Sequence, residues 1–149
     1  MTRGLIAGLA ALVCAGSAQA DSSVASNRGL EGLVTIDRLP VPDDAVLQMG
    51  RLVWAENCSN CHAGNKAIGA PKITSLHAWA PRIEKGMAVL LDHALNGFVG
   101  PKYTQMPARG ANADLTDEEV AAAVAFMVWS SGGAAAVQDY LTHAKGSRQ

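Results

Sequence analysis

Residue types and spacing that could do chemistry meet in Cys58-Ser59-Asn60-Cys61-His62. Two cysteines three positions apart, with a histidine directly behind the second, form the pattern that holds haem covalently. Each thiol adds to one porphyrin vinyl group and makes a thioether. The one-turn offset puts both sulfurs along the same edge of the ring. His62 is then carried beneath the iron and can offer an imidazole nitrogen as proximal ligand. Two other chemistries use a bare C-x-x-C, a redox dithiol and half of a zinc site. Zinc needs a second ligand pair, but no cysteine follows Cys61, and His77, His93 and His143 stand singly. A dithiol expects a strand–helix setting, whereas the flanks here read as helical and Gly-rich. Haem attachment is the reading that the spacing favours.

A ligand for the other face of the iron can be sought among the methionines. Met49, Met87 and Met127 fall in helical patterns, where methionine fills gaps in a core. Met106, followed by Pro107, falls among Gly97, Gly100, Pro101 and Gly110, which break any periodicity. A loop there can aim a thioether across the ring from His62. Sulfur is a soft donor that suits iron(II) and raises a haem potential. On the histidine side, Gly69-Ala70-Pro71-Lys72 must turn tightly around a haem edge. A carbonyl at Pro71 facing the His62 Nδ1–H would fix the tautomer and strengthen the ligand.

Elements must position these groups within 149 residues, room for one domain and little more. Hydrophobic residues make up 49% but aromatics only 5%, so a haem would supply the large flat apolar surface the side chains lack. A net charge of −1, with no basic run, argues against a nucleic-acid partner. Residues 1–20 read as a secretory signal peptide: Arg3, an apolar run from Leu5 to Ala15, and Ala18-Gln19-Ala20 as a small-x-small cleavage site. The run is too short for a stable membrane span, which makes a membrane anchor the second reading of this segment. Val13 before Cys14 does not suit a lipoprotein site. Cleavage leaves Cys58 and Cys61 as the only thiols and 11 basic against 13 acidic side chains, a balance of −2. Export to the periplasm follows.

Residues 21–42 read as an extended arm or linker. Asp43-Asp44 open a helix whose stripe is Val46, Leu47, Gly50, Val53 and Trp54. Gly50 costs about 1 kcal/mol against alanine in a helix, and a close crossing with a second helix would offset it. Trp79, Pro81 and Arg82 open a short helical stretch ending at Gly86. Met87, Leu90, Leu91, Ala94 and Leu95 then follow the helical template, with Asp92 and His93 off the stripe and solvated. The clearest helix is Leu115 to Ser130, opened by the capping box Thr116-Asp117-Glu118-Glu119. Ala121-Ala122-Ala123 gives it a smooth surface for the helix that carries Gly50. Residues 131–149 form a tail that could be one more short helix, with Val137, Leu141 and Ala144 aligned.

Together these residues resemble class I cytochromes c, most closely the small bacterial cytochrome c5 type. The likeness runs from about Ala45 to Ser130. It rests on Gly50 with Trp54, the Cys58–His62 motif, Gly69-Ala70-Pro71-Lys72, Trp79 with Arg82, Lys85-Gly86-Met87, Asn96-Gly97, Met106-Pro107 and the run from Asp114 to Glu119. The resemblance implies an all-α fold, the class I cytochrome c fold, with three to five helices wrapped around one covalent haem c in residues 43–130. It implies terminal helices crossing near Gly50 and an aromatic of the last helix. It also implies His62/Met106 ligation, and Trp79 and Arg82 close to the haem propionates. Two departures stand out. The c5 type often carries a further disulfide where this chain has Ala111 and Asp114, and its Met-Pro-Pro becomes Met106-Pro107-Ala108.

The function expected from this is a single-electron carrier between a redox protein donor and acceptor, not an enzyme. It would meet a membrane only through partners, as a monomer or as a subunit of a redox complex. A dedicated subunit of one oxidoreductase is the second reading, with the arm and tail as docking surfaces. A haem peroxidase or gas-binding protein with an open sixth position is the third. It would need a distal acid–base pair, for which Arg109 is the only candidate near Met106.

Overall fold

An aspartate begins the helix that leads to the cysteines. Asp44 Oδ1 accepts from the backbone N–H groups of Val46 and Leu47, at 2.9 and 3.3 Å, and satisfies two donors that a helix start leaves without partners. The computed structural model describes residues 31–101 and 104–146, the side chains of residues 145 and 146 aside. The expected leader, residues 1–20, lies outside the described residues. From Asp44 the chain runs as one rod to His62 in three sections: α1 (Ala45–Val53), a π-helical turn (Trp54–Cys58) and α2 (Ser59–His62). Then come α3 (Leu76–Ile83), α4 (Met87–Asn96), the short strands β1 (Phe98–Val99) and β2 (Gln105–Met106), α5 (Asp117–Ser130) and α6 (Ala134–Gly146).

Leu47, Gly50 and Val53 are the buried stripe of α1, and it lies against α5. The crossing is close because Gly50 has no side chain. A Cβ there would stand 1.9 Å from the Ala122 carbonyl oxygen and 2.4 Å from its carbon. Beside it, Trp54 and Phe126, both fully buried, meet with ring centroids 6.4 Å apart. Helix α5 touches α1, α4 and α6, so residues around nearly its whole circumference are buried, from Val120 through Ala122 to Val128. The sequence expects one buried face. The wider burial comes from α6, whose Val137 and Leu141 are buried and close the side that would otherwise meet water.

Thr116 caps α5 as the capping box predicts, so the helix starts at Asp117, two residues after Leu115, and the box is complete. The Thr116 backbone N–H donates to Glu119 Oε2 at 2.8 Å, and the Glu119 N–H donates to Thr116 Oγ1 at 3.2 Å. The backbone bond first, then the Thr116 hydroxyl, holds the Glu119 carboxyl below its ordinary value of 4.5. A depressed folded value means stabilisation that is full above 4.5 and lost as pH falls through the folded value. Glu119→Gln should therefore flatten the fall of stability with acid below about pH 4.5, read from urea unfolding at a series of pH values. An unchanged slope would remove this carboxylate from the acid response.

Residues 31–42 lie over the rod. The Val34 N–H donates to the Ala63 carbonyl at 2.9 Å, just past α2, and Arg51 Nη2 donates to the Ile36 carbonyl at 2.6 Å. Val34 and Leu39 are buried by this packing. Three local expectations change. Met49 faces outward, because its place on α1 is opposite the α5 contact, whereas Met87 and Met127 are buried. His93 is half-buried, not solvated, and stacks on Phe98 at 4.0 Å, since β1 folds back beside the end of α4. The third short helix begins at Leu76, three residues before Trp79, because the Ser75 hydroxyl accepts from the Ala78 N–H and sets its start.

Candidate functional site

Cys58, Cys61 and His62 share the last two turns of the rod, and the π turn ahead of them sets how they face. The wider turn, with the Ser59 N–H bonded to the Trp54 carbonyl, breaks step with the α1 stripe. Asn57 Nδ2 donates to the Val53 carbonyl at 3.4 Å and the Ser59 hydroxyl to the Ala55 carbonyl at 2.8 Å, so two carbonyls near the irregular turn keep partners. Apolar periodicity carries no mark of this turn, and sequence reasoning does not find it.

Both thiols are half-buried and free of a disulfide. Burial, and then the neighbouring Cys61, push the Cys58 thiol up to about 11. A redox dithiol depends on a lowered value, so this pair is poorly built for thiolate chemistry. Among the described residues, no three His, Cys, Asp or Glu side chains converge as a metal cluster would require.

His62 is buried and held at two points. Its Nδ1 stands 2.8 Å from the Pro71 carbonyl oxygen. A carbonyl can only accept, so Nδ1 carries the proton and the Nε2 lone pair is left for a metal. Its own carbonyl accepts from the Ile73 N–H at 2.8 Å. Burial, outweighing the Pro71 bond, lowers the proton affinity of the ring, and the Arg82 charge lowers it further. A neutral imidazole with a fixed tautomer suits ligation.

Trp79 is buried with its ring centroid 6.4 Å from that of His62, and its Nε1 donates to the Lys72 carbonyl at 2.8 Å. Arg82, one turn on, donates through Nη1 to the Ala78 carbonyl. Cys58, Cys61, His62, Pro71, Trp79 and Arg82 are thus gathered on one side. Met106 arrives on a separate element. The sequence reads a loop there, but Met106 lies in β2, paired with Phe98 in a two-residue antiparallel ladder, half-buried and packed against the core. Gly97, at φ +86°, makes that ladder possible: a Cβ there would stand 3.1 Å from the Met106 carbonyl oxygen and 3.2 Å from the Ala108 nitrogen. After it, Arg109 donates to the Leu115 carbonyl at 2.8 Å and pairs with Asp117, which ties the loop to the start of α5. That engagement leaves the guanidinium poorly placed for distal acid–base work.

A family model described as cytochrome c oxidase, cbb3-type, subunit III matches residues 45–127, more than half of the chain. The chain belongs to the class I c-type cytochromes. Cytochrome c-555 of Chlorobaculum tepidum is 44% identical to it over 82 residues, 55% of this chain and 74% of that protein. Cytochrome c-555 of Chlorobaculum thiosulfatiphilum is 43% identical over 82 residues, 55% of this chain and 93% of that protein. Cytochrome c5 of Azotobacter vinelandii is 35% identical over 77 residues, 50% of this chain and 86% of that protein. The cytochrome is therefore an electron-transfer protein, not an enzyme, and carries covalent haem c with its iron. Cys58 and Cys61 are the thiols of its C-x-x-C-H motif, and the donor set fits the group: two unpaired thiols and an imidazole with Nε2 available.

Proposed function

We propose that this cytochrome carries single electrons between a redox protein donor and acceptor in the bacterial periplasm, with His62 and Met106 as axial ligands. Bound haem supplies the one-electron couple between Fe(III) and Fe(II). The chain's part is to hold two ligands fixed in both states, exclude water and leave one edge near the surface. The observation that carries the reading is the 2.8 Å contact of His62 Nδ1 with the Pro71 carbonyl, which reserves Nε2 for iron and strengthens its donation. Met106 suits the opposite side because sulfur favours iron(II), and the Gly97 approach fixes the strand that carries it. Trp79 and Arg82 belong at the propionate edge. The Arg82 charge already acts on His62, and among the described residues only its Nη1 has a bond, so further N–H groups suit a carboxylate.

Periplasmic location rests on the leader read in residues 1–20, followed by the arm of residues 21–42, the haem domain of residues 43–130 and the tail of residues 131–149. The arm and tail place Val34, Leu39, Val137 and Leu141 in the molecule's own core. Apolar side chains used inward in this way favour a free carrier over a subunit that docks through those segments. Carbon monoxide added to the reduced protein tests the ligand set: two axial positions filled by the protein leave the Soret band unmoved. A shifted band would mean an open sixth position and the gas-binding reading.

A further inference from the structure

We infer that Ser131 is a positioning residue for the proximal histidine, acting through Thr74 on the segment that orients the His62 ring. Four consecutive residues, Pro71 to Thr74, each give one backbone group to another part of the fold. The Pro71 carbonyl faces His62 Nδ1 at 2.8 Å, and the Lys72 carbonyl accepts from Trp79 Nε1 at 2.8 Å. The Ile73 N–H donates to the His62 carbonyl at 2.8 Å, and the Thr74 N–H donates to Ser131 Oγ at 3.0 Å. His62 is thereby gripped at ring and backbone by one short strap. Trp79 and Ser131 fasten that strap to the protein.

The Ser131 end is the less expendable. Ile73, Thr74 and Ser131 are 0%, 3% and 1% exposed, so water cannot take over the bond. Thr74 sits at φ +70°, a left-handed conformation that a β-branched residue avoids, and something must hold it there. Ser131 itself has little freedom. Its N–H donates to the Val128 carbonyl at 3.1 Å, the Gly133 N–H donates to the same oxygen at 2.9 Å, and α6 packs beyond. Ser131 also lies outside residues 45–127, so the matched family segment does not include this fastening.

The chemical consequence follows from the direction of the Pro71 bond. The harder a carbonyl pulls on Nδ1–H, the more imidazolate-like the ring and the better it stabilises Fe(III). A strap loosened at Thr74 lets the Pro71 carbonyl drift, weakens that pull and raises the reduction potential. This rests on His62 being the iron ligand.

The test uses the holoprotein with Ser131→Ala and Ser131→Thr. Reduction potential is read by voltammetry, and the His62 Nδ1–H proton by NMR of the reduced form. Ser131→Ala should raise the potential, shift the Nδ1–H resonance and speed amide exchange at Ile73, while Ser131→Thr keeps the hydroxyl and restores wild-type values. A folded Ser131→Ala with unchanged potential and resonance overturns the inference. Should that variant fail to fold, Ser131→Cys replaces the hydroxyl with a weaker acceptor of similar size, and an unmoved potential and Nδ1–H resonance there overturn it equally. If wild-type protein shows no ring-current-shifted Nδ1–H, the ligand assignment falls and this inference with it. A normal wild-type resonance that Ser131→Ala does not move removes only the role of Ser131.

Discussion

Gly50→Ala will melt well below the wild-type cytochrome. Alanine improves helix propensity by about 1 kcal/mol, so a purely local view expects stabilisation. The crossing reverses the sign. The new Cβ would stand 1.9 Å from the Ala122 carbonyl oxygen and 3.0 Å from the Ala123 nitrogen, both backbone atoms of a helix buried on most sides. Neither can swing away as a side-chain end can. The rod and α5 must move apart, and the Trp54–Phe126 contact next to the crossing opens with them. Overpacking of this kind costs about 1–3 kcal/mol and more where backbone must shift. After the propensity gain, a net loss of roughly 2 kcal/mol or more is expected, about 10 °C in Tm for a domain of this size. Thermal unfolding followed by far-ultraviolet circular dichroism measures it. A Tm at or above wild type would mean that the helices are not pressed together at this residue.

Met106→Ala is expected to change the haem more than any other single substitution outside the motif. With Met106 as the proposed ligand, loss of the thioether would empty one axial position and remove the donor that favours iron(II). The sulfur-to-iron charge-transfer band in the near infrared should vanish from the oxidised protein, and the reduced variant should take up carbon monoxide. The potential should fall by roughly 0.1 V or more, a modest part of the ~0.8 V that axial ligands span. The fold should survive, because Met106 is only half-buried and its backbone pairing with Phe98 does not need the side chain. Survival of the charge-transfer band would exclude Met106 as the ligand.

What can be read from the residues alone is what local chemistry decides. The Cys58–His62 motif, the box at Thr116 and Glu119, and the need for a close helix crossing at Gly50 are each carried by a few neighbouring residues. Features that depend on distant parts of the chain are not legible in this way. Met49 fits the helical period yet faces out, because periodicity identifies a stripe and not which neighbour covers it. Met106 reads as loop, since two residues of strand hold only by pairing with Phe98, itself read as part of the same loop. His93 reads as solvated because its partner Phe98 comes from the turn beyond Gly97. The bond from Thr74 to Ser131 spans 57 positions, and Ser131-Gly132-Gly133 announces no more than the end of a helix. The π turn is hidden for another reason: Glu56 and Asn57 follow Trp54 and Ala55, so no apolar stripe continues there to show the shift in phase.

Alkylation followed by peptide mapping of the purified coloured protein tests the central claim most directly. If the porphyrin is bound through both thioethers, the peptide holding Cys58 and Cys61 will carry the mass of one haem, resist alkylation, and keep its colour through acid–acetone extraction. Haem lost to the solvent, with both cysteines taking up the alkylating agent, would contradict the account at its root.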